Sequence, residues 1–125
     1  MRKLIFATAV ACLLFSAASV QAAAPDAAAG QTIFKQKCSS CHSDVKDKNG
    51  VGPSMFGVYG RAAGMAPGYT YSKALKASAI KWTPEQLTVW LNKPKAVVPG
   101  TKMGFAPPTT AAEKANLIAY LKTRK

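Results

Sequence analysis

The chain has 125 residues, 49% of them hydrophobic, and 17 Lys and Arg against 5 Asp and Glu, which gives a formal net charge of +12. This length suits one domain, and a mature chain of about 100 residues is marginal for burying a core unaided. The cationic surface could in principle suit nucleic acid, but no basic arm or recognition helix is visible.

The amino terminus has the pattern of a secretory signal. A positively charged Met-Arg-Lys precedes an apolar run from Leu4 to about Ala18, and small residues follow. We predict a signal peptide over residues 1–23, cleaved near Ala22 to Ala24, and an exported mature domain over residues 24–125 in the periplasm. An uncleaved membrane anchor is the alternative, but the apolar run is short for a span and polar residues interrupt it.

A first helix is predicted from about Ala27 to Cys38, after a frayed Ala-rich tail. Ile33 and Phe34 recur on one face of this helix and lysines take the other. Gly30 lies inside it, at a position where glycine is costly. Either another helix approaches Gly30 closely, or this glycine belongs to the start of the helix.

The segment Cys38-Ser39-Ser40-Cys41-His42 predicts covalent attachment of a haem. Two cysteines on one helical turn can present their sulfurs to the two vinyl groups of one porphyrin, and His42 can then bind the iron. A redox dithiol is an alternative, but no βαβ pattern surrounds the motif. A zinc site would need more ligands, whereas His42 is the only histidine and Cys12 lies in the predicted signal.

The middle of the chain alternates loops with short helices. Gly and Pro occur too densely from Asn49 to Gly68 for a regular element. A short helix is predicted from Ser72 to Ala77. The next helix starts at Thr83 as N-cap, with a proline at the first position and Gln86 completing a capping box.

Leu87, Trp90 and Leu91 should form the buried face of this third helix, and Pro94 should end it. Pro94 to Pro108 is then expected to be a loop.

The last helix is predicted to begin with a capping box at Thr110 and Glu113 and to run to about Thr123. Its apolar face is wide and consists of Leu117, Ile118, Tyr120 and Leu121. No strand pattern is present. The fold class is therefore all-α, with three to four helices and ordered Gly/Pro-rich loops wrapped around one covalent haem.

An ordered set of motifs supports a resemblance to a known family. The motifs are Cys38-Ser39-Ser40-Cys41-His42, Gly52-Pro53, Gly57-Val58-Tyr59-Gly60-Arg61, Pro67-Gly68-Tyr69-Thr70-Tyr71-Ser72, Ile80-Lys81-Trp82, Asn92-Lys93-Pro94, Pro99-Gly100-Thr101-Lys102-Met103 and Leu117-Ile118-Ala119-Tyr120-Leu121. From about Gly30 to the last helix the chain resembles the class I cytochromes c of the short-chain bacterial and mitochondrial type. The resemblance implies the cytochrome c fold and a haem c held through Cys38 and Cys41.

The resemblance also implies the iron ligands. His42 would be the proximal ligand and Met103 the distal one, which leaves no open position on the metal. Pro53 matches the residue whose carbonyl accepts the other imidazole proton of His42.

Further matching positions surround the haem propionates. Arg61, Tyr71 and Trp82 match residues around a propionate, and Thr101 matches a hydrogen-bonding position near the propionates and the distal ligand. An arginine, a phenol and an indole N–H are the donors that a buried carboxylate requires.

Two positions depart from the family pattern. Trp90 stands where many members have a tyrosine whose hydroxyl contacts the methionine sulfur, so that hydrogen bond is in doubt. Leu75 stands where mitochondrial members have an asparagine that helps to hold a buried water. Both changes are expected to make the distal side less polar.

The resemblance implies a one-electron carrier, not an enzyme, that serves exported redox partners such as those of a respiratory chain. A haem c peroxidase, a ligand-sensing haem protein and a fixed electron-transfer subunit of a dehydrogenase or oxidase complex are the alternatives. We expect a monomer without stable membrane insertion or nucleic-acid binding. Its expected partners are acidic redox proteins, either a membrane electron-transfer complex or a periplasmic dehydrogenase or oxidase. The candidate docking lysines are Lys35, Lys37, Lys46, Lys95 and Lys102.

Overall fold

The computed structural model describes residues 16–104 and 106–125. Five helices form along this part of the chain: α1 (Ala27–Lys37), α2 (Lys73–Ala77), α3 (Pro84–Asn92), α4 (Pro94–Val97) and α5 (Ala111–Thr123). The described residues also contain a single isolated β-bridge, which pairs Ala62 with Lys81 in antiparallel orientation. The predicted all-α fold is confirmed, with the short α2 and α4 bringing the number of helices to five.

Most of the predicted signal, residues 1–15, lies outside the described residues. Residues 16–26 are exposed and have no regular structure. Among the described residues, no helix has both the length and the apolar character needed to cross a bilayer.

The first and last helices pack directly against each other. Asp26 caps α1 by accepting hydrogen bonds from two backbone N–H groups of its first turn, and its own N–H donates to the Asn116 side chain of α5 at 2.8 Å. The Phe34 and Tyr120 rings lie 5.9 Å apart across this contact. A methyl group at Gly30 would lie 1.9 Å from the Asn116 carbonyl oxygen. Of the two interpretations of Gly30, close approach by another helix is the one that the structure shows.

The start of α3 has one of the two hydrogen bonds of the predicted capping box. The Thr83 hydroxyl accepts from the Gln86 N–H at 3.2 Å, as predicted. The Thr83 N–H, however, donates to the Lys81 carbonyl at 2.8 Å, so it is already satisfied without the Gln86 side chain. The second half of the predicted capping box was therefore wrong.

Pro94 ends α3 and also begins α4. Proline lacks an N–H and has a helical φ, so it fits the first position of a helix as well as it interrupts one. The predicted loop from Pro94 to Pro108 thus starts with one helical turn, Pro94–Val97.

The capping box of α5 forms as predicted. The Thr110 hydroxyl accepts from the Glu113 N–H at 3.1 Å, and the Glu113 carboxylate accepts from the Thr110 N–H at 2.8 Å. The predicted apolar face of α5 is buried, with Leu117 only 1% exposed. It meets α1 on one side and α3 on another, and so helps to enclose the interior of the molecule.

Candidate haem site

One cavity of about 790 Å³ opens between the end of α1, the helices α3 and α5, and the long loops. This volume lies within the range of cofactor sites, roughly 300–1,000 Å³. All nine side chains predicted to bind the cofactor line it: Cys38, Cys41, His42, Pro53, Arg61, Tyr71, Trp82, Thr101 and Met103. The structure therefore brings together residues that are up to 65 positions apart in the chain.

The two cysteines lie directly after α1, on a continuing turn. The N–H groups of Cys41 and His42 both donate to the Cys38 carbonyl, at 3.1 and 3.0 Å. Neither of these cysteines forms a disulfide, and Cys38 is partly buried whereas Cys41 is exposed. Burial raises the pKa of the Cys38 thiol to about 11, against a smaller opposing effect of the Lys37 ammonium. Within the described part of the chain, no three His, Cys, Asp or Glu side chains converge as a zinc ion would require.

The His42 imidazole is fixed by the backbone that faces it. Its Nδ1 lies 2.8 Å from the Pro53 carbonyl oxygen. Because a carbonyl can only accept, Nδ1 carries the proton and Nε2 keeps a free lone pair for a metal. Burial lowers the pKa of His42, while the bond to Pro53 opposes that shift, so the ring is neutral at neutral pH.

Gly52 provides the space that this imidazole occupies. A Cβ atom at Gly52 would lie 2.3 Å from His42 Cε1 and 2.6 Å from Nδ1. Gly52 belongs to one of the motifs shared with the family, but no role for it was predicted. The backbone here must lack a side chain for the ring to lie flat against it.

The Met103 sulfur lies on the wall of the same cavity and accepts a hydrogen bond. The donor is the Trp90 indole Nε1, 3.2 Å from Met103 Sδ. The hydrogen bond to this sulfur, which the change from tyrosine placed in doubt, is therefore made, with the indole N–H as donor instead of a hydroxyl. Leu75 is buried and contributes an apolar surface, as expected.

Arg61 and Tyr71 place polar donors at the cavity wall. Arg61 Nη1 donates to the Phe56 carbonyl at 3.0 Å, whereas its Nε is buried without a protein partner. The Tyr71 hydroxyl accepts from the Ala66 N–H at 3.0 Å and so keeps its own proton to donate. Burial raises the pKa of Tyr71, which keeps the phenol neutral. These donors fit a buried carboxylate such as a haem propionate.

Trp82 and Thr101 are both buried at the cavity. The Trp82 ring packs edge-on against the Trp90 ring, with centroids 5.0 Å apart. The Thr101 N–H donates to the Val98 carbonyl at 3.1 Å, which fixes the loop just before Met103.

The rest of the cavity wall is largely apolar. It includes Phe34, Val58, Leu75, Leu87, Leu117 and Leu121. Helical periodicity identified several of these as buried residues but could not show that they face a cofactor rather than one another. An apolar wall with a few donors at one place is the environment that a haem with two propionates needs.

The candidate docking lysines differ in their surroundings. Lys37 is held at the cavity edge, with its Nζ 3.0 Å from a Glu113 carboxylate oxygen and 2.9 Å from the Pro108 carbonyl. Lys102 donates to the Thr70 carbonyl and lies over the Tyr69 ring. The other three, Lys35, Lys46 and Lys95, are exposed.

The fold is all-α, and the two cysteines and the histidine of the attachment motif line one largely apolar cavity. Together these features define a protein with covalently bound haem. The family model described as Cytochrome c matches residues 27–125. The chain belongs to the cytochrome c family.

Known relatives cover most of the chain. It is 46% identical to "Cytochrome c" of Euglena viridis over 80% of this chain and 98% of that protein. It is 47% identical to "Cytochrome c2" of Blastochloris viridis over 98% of this chain and 93% of that one. The solved structure of "cytochrome cH from Methylobacterium extorquens" superposes with a TM-score of 0.71 at 47% identity, covering 78% of this chain and 98% of that chain.

Family membership establishes the cofactor. The chain binds haem c, with its iron, covalently, and Cys38 and Cys41 stand in the attachment motif. It is an electron carrier of the cytochrome c family.

Proposed function

We propose that this chain carries single electrons between exported redox partners and that His42 and Met103 are the two protein ligands of its iron. The observation that carries the proposal is the disposition of these side chains in one cavity. His42 presents Nε2 because Nδ1 is bonded to Pro53, and the Met103 thioether lies on the wall of the same cavity. Both iron ligands would then come from the protein, which leaves no position for a substrate.

The bound haem supplies a one-electron iron couple. The chain's own residues set the environment of that couple. A soft thioether favours the ferrous state, and the apolar wall excludes water. The Arg61 charge would neutralise a propionate, and the Tyr71 hydroxyl and the Trp82 indole N–H would donate hydrogen bonds to the propionates. These contacts would offset the cost of burying the carboxylates.

Methionine ligation is tested by the absorption of the purified holoprotein. Ferric iron with a thioether ligand gives a weak band near the red end of the visible range. We expect this band in the wild type and in Met55→Leu, and its loss in Met103→Leu. Met55 is a matched control because it is the other methionine among the residues lining the cavity. A wild type without the band, or a Met103→Leu protein that keeps it, would exclude Met103 as the ligand.

Docking through lysines is the second part of the proposal. The net charge is +12 for the whole chain, and it remains +10, from 15 Lys and Arg against 5 Asp and Glu, once Arg2 and Lys3 leave with the signal, which favours encounter with acidic proteins. Lys102 directly precedes Met103 in the chain, and exposed Lys95 approaches the same segment from outside, since its side chain lies near Gly104, the residue after Met103. Lys37 is already paired with Glu113 and should contribute less.

Electron transfer to an acidic redox protein, followed by stopped flow at increasing ionic strength, tests this part. We expect the second-order rate constant to fall as salt is added, because salt screens attraction between exposed charges. Lys95→Gln should slow the reaction at low salt more than Lys122→Gln, because Lys122 lies near the Tyr59 ring at the end of α5 and not beside Gly104. A rate independent of salt would refute lysine-guided docking.

Export to the periplasm, with a signal over residues 1–23 and a mature domain over residues 24–125, is also proposed. The charged, apolar and small segments of the amino terminus support it. Sequencing the amino terminus of the protein recovered from the periplasm of a bacterial host tests it. A mature chain that starts near Ala22 to Ala24 is expected, and one that retains Met1 would refute cleavage.

A further inference from the structure

A second cavity, of about 320 Å³, lies beside the haem cavity. Its wall combines two cations, Lys46 and Arg61, with one carboxylate, Asp47, and with the apolar side chains of Phe56 and Met65. The volume is at the lower end of the range for ligand sites, roughly 300–1,000 Å³. This second cavity therefore suits a small molecule.

The two uncharged polar side chains of the second cavity are already bonded to backbone groups. The Asn49 side chain donates to the Pro67 carbonyl at 2.8 Å and accepts from the Ser54 N–H at 2.9 Å. The Ser54 hydroxyl donates to the Val45 carbonyl at 2.6 Å and accepts from the Phe56 N–H at 3.2 Å. These bonds fix the frame of the cavity and leave its charged side chains to meet a ligand.

The two cations of the second cavity lack an acidic partner. Neither Lys46 nor Arg61 forms an ion pair with any residue that the structure describes. Arg61 donates from Nη1 to the Phe56 carbonyl at 3.0 Å, and its Nε is buried without a protein partner. Because buried donors of a cation are usually paired with an anion or hydrogen-bonded, these groups point to an anionic ligand.

Asp47 limits the charge of the anion that the second cavity can hold. Two cations and one carboxylate leave a local charge of +1, so a monoanion is matched whereas a dianion such as sulfate is repelled by Asp47. Phe56, Met65 and Pro67 add apolar surface that an inorganic ion could not use. The chemistry that fits both features is an organic monocarboxylate with an apolar body.

Arg61 connects the second cavity to the haem cavity, because it is part of the wall of both. Its planar guanidinium has five N–H donors, enough to contact a haem propionate on one side and a second anion on the other. An anion beside Arg61 cancels part of the positive charge near the haem. Less positive charge favours the ferric state, which carries one more positive charge than the ferrous state.

We propose that the second cavity binds an organic monocarboxylate between Lys46 and Arg61 and that this binding lowers the reduction potential of the haem. The binding site depends on the cavity alone, whereas its coupling to the haem rests on the proposed contact between Arg61 and a propionate. Linkage is reciprocal, so the ferric form binds the carboxylate more tightly than the ferrous form does. A carrier that holds the carboxylate therefore gives up its electron more readily than a free one.

Binding is tested on the ferrous holoprotein with benzoate as the probe, at constant ionic strength. Benzamide has the same shape without the charge, and sulfate has the charge without the apolar body. In protein labelled with ¹⁵N, the backbone N–H resonances of Ser54, Phe56 and Ala66 should shift and saturate with benzoate. Benzamide and sulfate should bind roughly tenfold more weakly, since each lacks one of the two matched features. The absence of saturable shifts at these residues, or equal binding of benzoate and sulfate, would overturn the site.

Four variants separate the second cavity from the general charge of the surface. Lys46→Gln should weaken benzoate binding roughly tenfold. Lys48→Gln removes the same charge from a lysine that does not line the cavity and should have no such effect. Met65→Glu places a carboxylate in the cavity wall at a side chain that is 61% exposed, and it should abolish benzoate binding. Val89→Glu makes the same change of charge on the exposed side of α3 and should leave binding intact. Equal losses in the two Gln variants, or in the two Glu variants, would contradict the proposal.

Midpoint potentials measured with redox mediators test the coupling to the haem. Saturating benzoate should shift the ferrous-to-ferric ratio of the wild type at fixed potential about fivefold toward ferric. Met65→Glu without benzoate should shift the ratio in the same direction, and more than Val89→Glu does. Benzoate binding without a change in the ratio would overturn the coupling.

The red band of the ferric form is recorded in every sample and should persist when benzoate is added. Loss of the band only after addition would place benzoate at the iron and overturn the coupling through Arg61. A wild type that lacks the band before any addition would instead refute Met103 ligation, so failure of the proposed function and failure of the second site are distinguishable.

Discussion

The backbone of Gly30 on α1 lies against the backbone of Asn116 on α5, so that a Cβ atom at Gly30 would be 1.9 Å from the Asn116 carbonyl oxygen and 2.8 Å from Tyr120 Cβ. The nearest atom belongs to backbone, which cannot move aside as a flexible side chain could. The two helices can therefore approach this closely only because residue 30 is glycine.

Gly30→Ala should destabilise the protein although alanine is the better helix former. The gain in helix propensity is about 1 kcal/mol, whereas forcing the helices apart typically costs 1–3 kcal/mol and here strains a backbone contact. We expect a lower melting temperature, by several degrees per kcal/mol lost. Thr32→Ala on the exposed side of α1 is the control and should change the melting temperature little. A Gly30→Ala protein as stable as wild type would show that α1 and α5 can move apart at residue 30 without a loss of stability.

Elements whose signals are local could be predicted from the sequence. The N-cap at Thr83, the capping box of Thr110 with Glu113 and the attachment motif around Cys38 each depend on residues within a few positions. The identity of α4 was missed because Pro94 is equally compatible with the end of one helix and the start of the next.

The contacts that the sequence could not predict depend on how distant segments meet. Trp90 and Met103 lie on different elements, and whether the indole N–H reaches the sulfur depends on the orientation of α3 relative to the ligand loop. Tyr120 similarly meets Asp44 across 76 positions. No periodicity encodes such pairings, since each follows from tertiary packing.

Tyr120→Phe should destabilise the fold by about 1.5–3 kcal/mol, the usual value of a hydrogen bond to a charged group. The Tyr120 hydroxyl donates to the Asp44 carboxylate, which also lies 3.8 Å from Arg124 Nε. Burial, and then the bond to Asp44, raises the pKa of Tyr120. The stabilisation is therefore complete below the unfolded tyrosine pKa of about 10 and is lost as pH rises through the higher folded value.

Melting curves of wild type and Tyr120→Phe from neutral to alkaline pH measure this contribution. The difference in melting temperature should be constant near neutrality and should shrink above about pH 10. Thr123→Ala, on the last turn of α5, is the control for alkaline damage to the helix end, and its difference from wild type should not follow this course. If the difference in melting temperature between wild type and Tyr120→Phe stays constant to the highest pH, the stabilisation does not depend on the phenol proton.

Glu113→Gln should remove a contribution to stability that is present at neutral pH and lost in acid. The Thr110 N–H, and then the Lys37 ammonium, lower the pKa of the Glu113 carboxyl. A carboxyl with a lowered folded pKa stabilises above its unfolded value of about 4.3 and loses that effect as pH falls through the folded pKa. The Glu113 side chain is partly exposed to solvent, so the effect should be small and sensitive to salt.

Thermal unfolding from pH 7 to pH 3 checks this prediction. The melting temperature of Glu113→Gln should lie below that of wild type at neutral pH, and the two should converge as the pH drops. Glu85→Gln is a matched control, because Glu85 also lies in the first turn of its helix and has no ion pair among the described residues. Curves for wild type and Glu113→Gln that remain parallel down to pH 3 would contradict the linkage.

Gly52→Ala should disturb the haem site through the His42 imidazole. The new Cβ would overlap the ring, 2.3 Å from Cε1, so the ring must tilt and weaken its bond to the Pro53 carbonyl. Loss of that bond should cost about 1 kcal/mol of stability, and loss of such an orienting partner typically weakens metal binding by about 10- to 100-fold. Gly104→Ala is the matched control beside the other candidate ligand, because among the described residues its Cβ would meet the flexible Lys95 side chain, at 3.7 Å, and no backbone atom. The effect is measured by holoprotein yield, by the haem absorption spectrum and by the resistance of the ferric form to added imidazole. Gly52→Ala should lower the yield and the resistance and alter the spectrum, while Gly104→Ala should match wild type. Equal behaviour of the two variants would show that the position of the imidazole does not depend on the space at residue 52.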